Sequence, residues 1–147
     1  MEQEVVQTKL TDINSAVNEL CSKLKNSPDS YQAVFFFAAI TYDFEKLSTE
    51  IKSRFPKSEV IGASTAGEIS KDGFLNNTIL LTTLSDYRTK VKGVFIENGS
   101  KYPIASKRQI EEALSYYKND FSTKEKQLEN VQILIIKAYF NDGKYEK

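Results

Sequence analysis

The sequence contains no histidine and a single cysteine, Cys21, among its 147 residues. Without histidine, the nucleophile–histidine pairs of many hydrolases cannot form within this chain. One cysteine cannot close an intramolecular disulfide, and zinc sites built from cysteine and histidine are excluded. Cys21 falls on the apolar stripe of a predicted helix, which is typical of a small buried hydrophobic residue. We therefore expect neither a metal nor a cofactor.

An excess of charge of one sign and long apolar runs are also missing. Lysine and arginine together number 20, as do aspartate and glutamate, so the basic balance typical of nucleic-acid-binding proteins is absent. No apolar run approaches the roughly 20 residues that span a bilayer. The first residues, MEQEVVQTKL, lack the features of a secretory signal. These absences favour a cytoplasmic protein that binds neither nucleic acid nor membrane.

The first half of the chain has the pattern of an α/β domain. Apolar residues at helical spacing predict an amphipathic helix from about Thr8 to Lys25. The run AVFFFAAI, residues 33–40, is typical of a strand buried on both faces. Asp43 is placed to cap a second helix, and a second strand is predicted from Glu59 to about Ala66. Strand, helix and strand with short links form a βαβ unit with parallel strands.

The second half predicts an antiparallel meander and then a helix and a strand. Strands are expected at Thr78–Leu84 and Lys90–Glu97, with no helix between them. A third helix is expected from about Ile104 to Phe121, and a last strand at Val131–Phe140. The fold class is therefore a mixed β-sheet covered by amphipathic helices, in one domain spanning residues 1–147. Because Asp142–Gly143 resembles the start of another connection, we expect the chain to be part of a longer protein.

The stretch VIGASTAGEIS, residues 60–70, is unusually rich in small and hydroxyl-bearing residues. A phosphate-binding loop would run directly into a helix, and none is predicted after it. Gly62, Ser64 and Gly67 give G-x-S-x-x-G, which is one residue too long for a nucleophile elbow. Together with the missing histidine, this argues against an enzyme.

Two interpretations of the stretch stay open on the residues alone. In the first, it lines a ligand pocket at the carboxyl end of the second strand. The hydroxyls of Ser64 and Thr65 would bind a carboxylate or amide, Glu68 would bind an ammonium group, and Gly67 would let a ligand approach the backbone. In the second interpretation, the small residues let another element of the protein pack closely.

Residues 35–84 resemble the N-terminal domain of the FIST family. The similarity lies in the apolar strand Phe35–Ile40, the pair Tyr42–Asp43, the segment VIGASTAGEI at Val60–Ile69, and the pair Gly73–Phe74. It implies a cytoplasmic sensory domain of a signal-transduction protein that binds small ligands such as amino acids. It therefore favours the pocket, with Ser64, Thr65, Gly67 and Glu68 as ligand-binding residues.

The resemblance also implies partners. Such domains precede a FIST C-terminal part or a signalling output domain, and an unpaired apolar strand would favour a homodimer. Some members bind haem, which in this chain would need Cys21 or a tyrosine as its ligand. The alternative function is a protein-interaction or scaffolding module without a small ligand, in which the small-residue strand only packs.

Overall fold

The computed structural model describes residues 1–86, 89, 91–93, 95 and 101–121, and it divides the chain into two compact units, Met1–Val91 and Lys92–Lys147. In the first unit, the elements follow one another as β1 (Glu2–Thr8), α1 (Ile13–Lys23), a short 3₁₀ turn (Pro28–Ser30), β2 (Ala33–Ala39), α2 (Phe44–Arg54), β3 (Glu59–Thr65), β4 (Glu68–Ser70), β5 (Gly73–Leu75) and β6 (Ile79–Ser85). The second unit contains α3 (Pro103–Phe121).

The main sheet has the strand order β1-β6-β2-β3. Strands β2 and β3 are parallel, as the βαβ pattern predicts, and β6 is antiparallel to both β1 and β2. Strands β4 and β5 form a separate antiparallel hairpin. The predicted fold class, a mixed sheet with a βαβ unit and an antiparallel section, is confirmed.

Both helices of the first unit begin at an aspartate that satisfies free backbone amides. The Asp43 carboxylate accepts a hydrogen bond from the amide of Lys46 at 3.1 Å, which confirms the predicted cap of α2. Asp12 caps α1 in the same way, through the amide of Ser15 at 2.8 Å. The helix that was expected from Thr8 therefore begins only at Ile13. Residues up to Thr8 form β1, which periodicity missed because polar residues dominate its sequence.

The core lies on one face of the sheet, beneath α1 and α2. Alternation along β2 directs Val34, Phe36 and Ala38 to this face, where all three are almost completely buried. These side chains belong to the same core cluster as the apolar residues of the two helices, which include Val17, Leu20, Leu47 and Ile51. The opposite face is more open: the side chains of Val5 and Phe37 are 50% and 39% exposed.

The remaining expectations concern the second half of the chain. The helix predicted from Ile104 to Phe121 is confirmed by α3. The predicted strand Lys90–Glu97 lies partly outside the described residues, and its described members, 91–93 and 95, are not in a strand. The predicted strand Val131–Phe140 lies wholly outside them. Among the helices that the structure describes, none combines the length and apolar character needed to cross a membrane.

Candidate functional site

The stretch that the sequence singles out lies where three strands meet. Strand β3 ends at Thr65 beside the end of β2, since the amide of Ile40 donates to the Thr65 carbonyl at 3.3 Å. The start of β6 joins them there, because the amide of Ala39 donates to the Thr78 carbonyl at 3.1 Å. The carboxyl ends of two parallel strands thus border the beginning of an antiparallel one, and the β4–β5 hairpin starts at Glu68.

The two neighbouring hydroxyl residues of the stretch point to opposite faces of the sheet. In the register of β2 and β3, Ser64 pairs with Ala38 and Thr65 pairs with Ala39. Because side chains alternate along a strand, Ser64 shares the face of the helices and Thr65 lies on the other face. Ser64 is exposed, and Thr65 is partly buried. The structure therefore separates Ser64 from the other predicted site residues.

Thr65 and Glu68 do come together. The Glu68 side chain is almost completely removed from solvent, with 3% of the residue exposed. Its Oε1 accepts a hydrogen bond from the Thr65 hydroxyl. Its Oε2 is buried and has no hydrogen-bond partner in the part of the chain that the structure describes. Buried polar atoms without a partner are rare in native proteins, so this oxygen calls for a specific explanation.

Tyr42 belongs to the same cluster, although the sequence pointed to it only as part of a family pattern. Burial, and then the charge of Glu68, raise the pKa of the Tyr42 hydroxyl. This hydroxyl donates to the backbone carbonyl of Asn77 at 3.1 Å. Asn77 has a φ of 51°, in the left-handed region that residues other than glycine rarely adopt. No sequence signal marked Asn77 beyond its place in a turn.

The two glycines of the stretch are each covered by an aromatic ring, but in different settings. A Cβ built on Gly62 would lie 2.2 Å from two ring atoms of Phe36, which is 2% exposed. A Cβ on Gly67 would lie 2.5 Å from two ring atoms of Phe74, which is 64% exposed. Neither glycine has a positive φ. Gly62 thus supports the packing interpretation of the stretch, whereas the ring over Gly67 can move into solvent.

An open groove of about 420 Å³ lies on the face of the helices, between α2 and β3. Phe36 and Phe44 stack in it, with ring centroids 5.2 Å apart. Its remaining lining residues are Ser48, Thr49, Lys52, Val60 and Gly62. None of the four predicted ligand-binding residues lines this groove, so it is distinct from the cluster around Glu68.

Two further groups bear on cofactors and reactivity. Burial raises the pKa of the Cys21 thiol, which packs against the core, in keeping with its interpretation as a small hydrophobic residue. Within the described residues, no three histidine, cysteine or carboxylate side chains cluster in a way that could hold a metal ion.

Chemically, the cluster of Thr65, Glu68 and Tyr42 offers a buried carboxylate with one free oxygen. Such an oxygen forms its strongest hydrogen bonds with positively charged donors. The placement of Thr65, Gly67 and Glu68 is compatible with a ligand site, and the ligand-binding role of all four predicted residues stays a prediction.

Comparison with known families gives one assignment. The family model of the FIST N domain matches residues 32–143, well over half of the chain. No curated protein and no solved structure shows a significant match. The matched segment contains β2, α2, β3 and the cluster around Glu68, which are the elements that carry the sequence resemblance. The chain therefore belongs to the FIST family, whose domains serve as sensory modules in signal transduction.

Proposed function

We propose that this protein is a cytoplasmic, non-catalytic sensory domain that binds a small molecule, an amino acid or a related metabolite, at the carboxyl ends of β2 and β3. The observation that carries the proposal is the unpaired Oε2 of Glu68, which is buried within the segment that matches the FIST N domain. A carboxylate that is buried without a full set of partners lowers stability. A ligand that supplies the missing donor would remove this cost and would favour the folded state.

The location of the cluster also supports a ligand site. In α/β sheets, ligands gather beyond the carboxyl ends of parallel strands, where the strand order changes. Glu68 lies just after the end of β3, close to the point where β6 starts beside β2. Thr65 positions the carboxylate through its hydrogen bond, and Tyr42 lies close enough for its pKa to respond to the charge of Glu68.

A sensor also needs an output, and we place it downstream of this domain. A FIST C-terminal part or a signalling domain in the full-length protein is the proposed partner, and a homodimer is a second way to transmit the signal. Glu68 is part of the β4–β5 hairpin, whose strands have only three residues each. Small elements with few contacts shift at low energetic cost. Ligand binding at Glu68 would therefore change the position of this hairpin first.

Thermal unfolding of the full chain in the presence of single amino acids and related metabolites tests the proposal. A ligand that binds only the folded state adds RT ln(1 + [L]/Kd), about 2.7 kcal/mol at a hundredfold excess over Kd. For a chain of this length, this raises the melting temperature by several degrees.

The matched controls are Glu68→Gln, which removes the charge, and Ser53→Ala, which removes an exposed hydroxyl of α2. We expect Glu68→Gln to weaken binding by at least about tenfold, as when a charged hydrogen-bond partner is lost, and Ser53→Ala to leave it unchanged. If no compound shifts the melting temperature, or if Glu68→Gln binds a hit as well as the wild type does, this site is wrongly assigned.

A further inference from the structure

The polar groups around Glu68 have already donated their hydroxyl hydrogens within the protein. The Thr65 hydroxyl donates to Glu68, and the Tyr42 hydroxyl donates to the Asn77 carbonyl. A hydroxyl has one hydrogen and two lone pairs. The hydroxyl oxygens can therefore only accept further hydrogen bonds, and so can Oε2 of Glu68.

The charge of Glu68 is also uncompensated. Among the described residues, no lysine or arginine forms an ion pair with it, and Oε2 lacks even a neutral donor. A carboxylate of a ligand would meet acceptors and a like charge in this cluster, which is unfavourable. An anion placed beside Oε2 would therefore meet a like charge without a cation to offset it.

We infer that Glu68, held by the Thr65 hydroxyl, recognises a primary ammonium group and not a carboxylate, so that the ligands of this domain include simple organic amines. This inference rests on the proposed function, because it assumes that a small molecule binds at Glu68. An ammonium group has three donors and no acceptor, and it is therefore the complement of a cluster with free lone pairs and a negative charge. An amino acid would bind through its amino group, and its carboxylate would lie outside the cluster.

An inorganic cation is a weaker fit to the same chemistry. Calcium takes six to eight oxygen ligands and usually several carboxylates, whereas one carboxylate is present here, and the described residues contain no cluster of three or more potential metal ligands. A monovalent ion such as potassium needs less charge, so the experiment includes it. An ammonium group differs from a metal cation because it donates directed hydrogen bonds to the lone pairs of its partners.

The route to Glu68 passes the β4–β5 hairpin. The residue itself is 3% exposed, so a ligand can enter only if a neighbouring group moves. Phe74 pairs with Ile69 in this hairpin, whereas Glu68 pairs with Leu75, so the Phe74 ring lies on the face opposite Glu68 and does not cover it. The far end of the hairpin is tied to β1 by one exposed hydrogen bond, from Gln7 to Asp72 at 3.0 Å. We therefore expect an amine to reach Glu68 by a movement of the hairpin as a whole.

Sets of three matched compounds test the inference by isothermal titration calorimetry on the full chain. Each set contains an amino acid, the amine without its carboxylate, and the acid without its amino group. Suitable sets are alanine, ethylamine and propanoate; leucine, isopentylamine and 4-methylpentanoate; and phenylalanine, 2-phenylethylamine and 3-phenylpropanoate. Ammonium chloride and potassium chloride at matched ionic strength serve as the inorganic cations.

We expect at least one amine to bind within about threefold of the affinity of its amino acid, and the matching acid to bind at least about tenfold more weakly, since only the acid lacks the charged donor. Glu68→Gln should weaken the binding of the amine and the binding of the amino acid by the same factor, which is at least about ten. Ser53→Ala, on the exposed surface of α2, should change neither affinity.

The possible failures are distinguishable. If amino acids bind and their amines do not, the inference is wrong, and the proposed sensory function stands. If potassium binds as tightly as the best amine, the site is one for inorganic cations, and the inference is wrong. If no member of any set binds, both the inference and the amino-acid form of the proposed function are contradicted. If an amine binds the wild type and Glu68→Gln with equal affinity, Glu68 is not part of the binding site, and the inference is wrong.

Discussion

Two glutamates near opposite ends of the main sheet, Glu4 and Glu68, differ in how completely their carboxylates are hydrogen-bonded. At the amino end of β2, Glu4 accepts hydrogen bonds from the Tyr31 hydroxyl at 2.7 Å, from the Lys25 amide at 2.9 Å and from the Asn26 side chain at 3.2 Å. At the carboxyl end, Glu68 accepts from Thr65 alone, and its second oxygen has no partner among the described residues. Glu4 is partly exposed and fully paired, whereas Glu68 is more deeply buried and only half paired.

This difference separates a structural carboxylate from a candidate binding group. Although partial burial opposes it, the hydrogen bonds from Tyr31, Lys25 and Asn26 lower the pKa of Glu4. Burial, and then the hydrogen bond to Glu4, raise the pKa of Tyr31 to about 12. Glu4 and Tyr31 thus stabilise each other and leave little capacity for a ligand. At Glu68, one carboxylate oxygen is buried away from water without a hydrogen-bond donor among the described residues. Such burial lowers the stability of the folded state unless a donor binds there.

The largest expected effect contrasts the two glycines that flank the hydroxyl residues. Gly62→Ala would push a methyl group into the buried ring of Phe36, and we expect it to lower the free energy of unfolding by about 3 kcal/mol, as overpacking does. Gly67→Ala meets the exposed ring of Phe74, which can move, and the Leu75 carbonyl oxygen at 3.3 Å, which must shift slightly, so it should cost only about 1 kcal/mol. Urea denaturation of both variants measures the difference. Equal losses would contradict the view that only the first half of the stretch packs into the core.

The next effect contrasts neighbours on opposite faces of β3. Thr65→Val keeps the shape of the side chain and removes the hydrogen bond to Glu68. It would leave a buried carboxylate with both oxygens unpaired, and we expect a loss of about 2 kcal/mol. Ser64→Ala alters an exposed residue and should stay within about 0.5 kcal/mol of the wild type. Losses of the same size in the two variants would show that Thr65 does not hold Glu68 in place.

A smaller effect is expected at the paired end of the sheet. Tyr31→Phe removes one donor to Glu4 and should lower the free energy of unfolding by about 1 kcal/mol at neutral pH. Because the folded-state pKa of Glu4 is lowered, its stabilising contribution is present above its ordinary pKa of 4.5 and is lost as the pH falls through the lower, folded value. The wild type and Tyr31→Phe should therefore converge in stability on acidification. A difference that is constant from neutral pH down to about pH 3 would count against the Glu4 hydrogen bond as its cause.

Some of this arrangement follows from the sequence, and some does not. Periodicity and capping predicted the βαβ unit, because Asp43 and the apolar run of β2 act through local rules. The same rules missed β1, whose polar residues hide its strand pattern. The separation of Ser64 from Thr65 depends on where β3 begins in the register, since a shift of one residue exchanges the faces.

The burial of Glu68 was the least predictable feature. Glutamate is almost always exposed, and its position depends on how the β4–β5 hairpin packs against the ends of β2 and β6. Tyr42 and Asn77 reach this cluster through the same non-local packing, 26 and 9 residues away in the sequence. The family pattern pointed to Glu68 and to the Tyr42–Asp43 pair, but it did not say that Glu68 and Tyr42 lie together.

The most direct measurement of the central claim compares Glu4→Gln with Glu68→Gln in thermal unfolding without any ligand. Both substitutions replace a carboxylate by a neutral amide of the same shape. We predict that Glu4→Gln lowers the free energy of unfolding by about 1 kcal/mol, because charged hydrogen bonds are lost. We predict that Glu68→Gln leaves it unchanged or raises it by up to about 1 kcal/mol, because an uncompensated buried charge is removed. If Glu68→Gln destabilises the free protein as much as Glu4→Gln does, Glu68 is a structural residue, and the binding site proposed around it is contradicted.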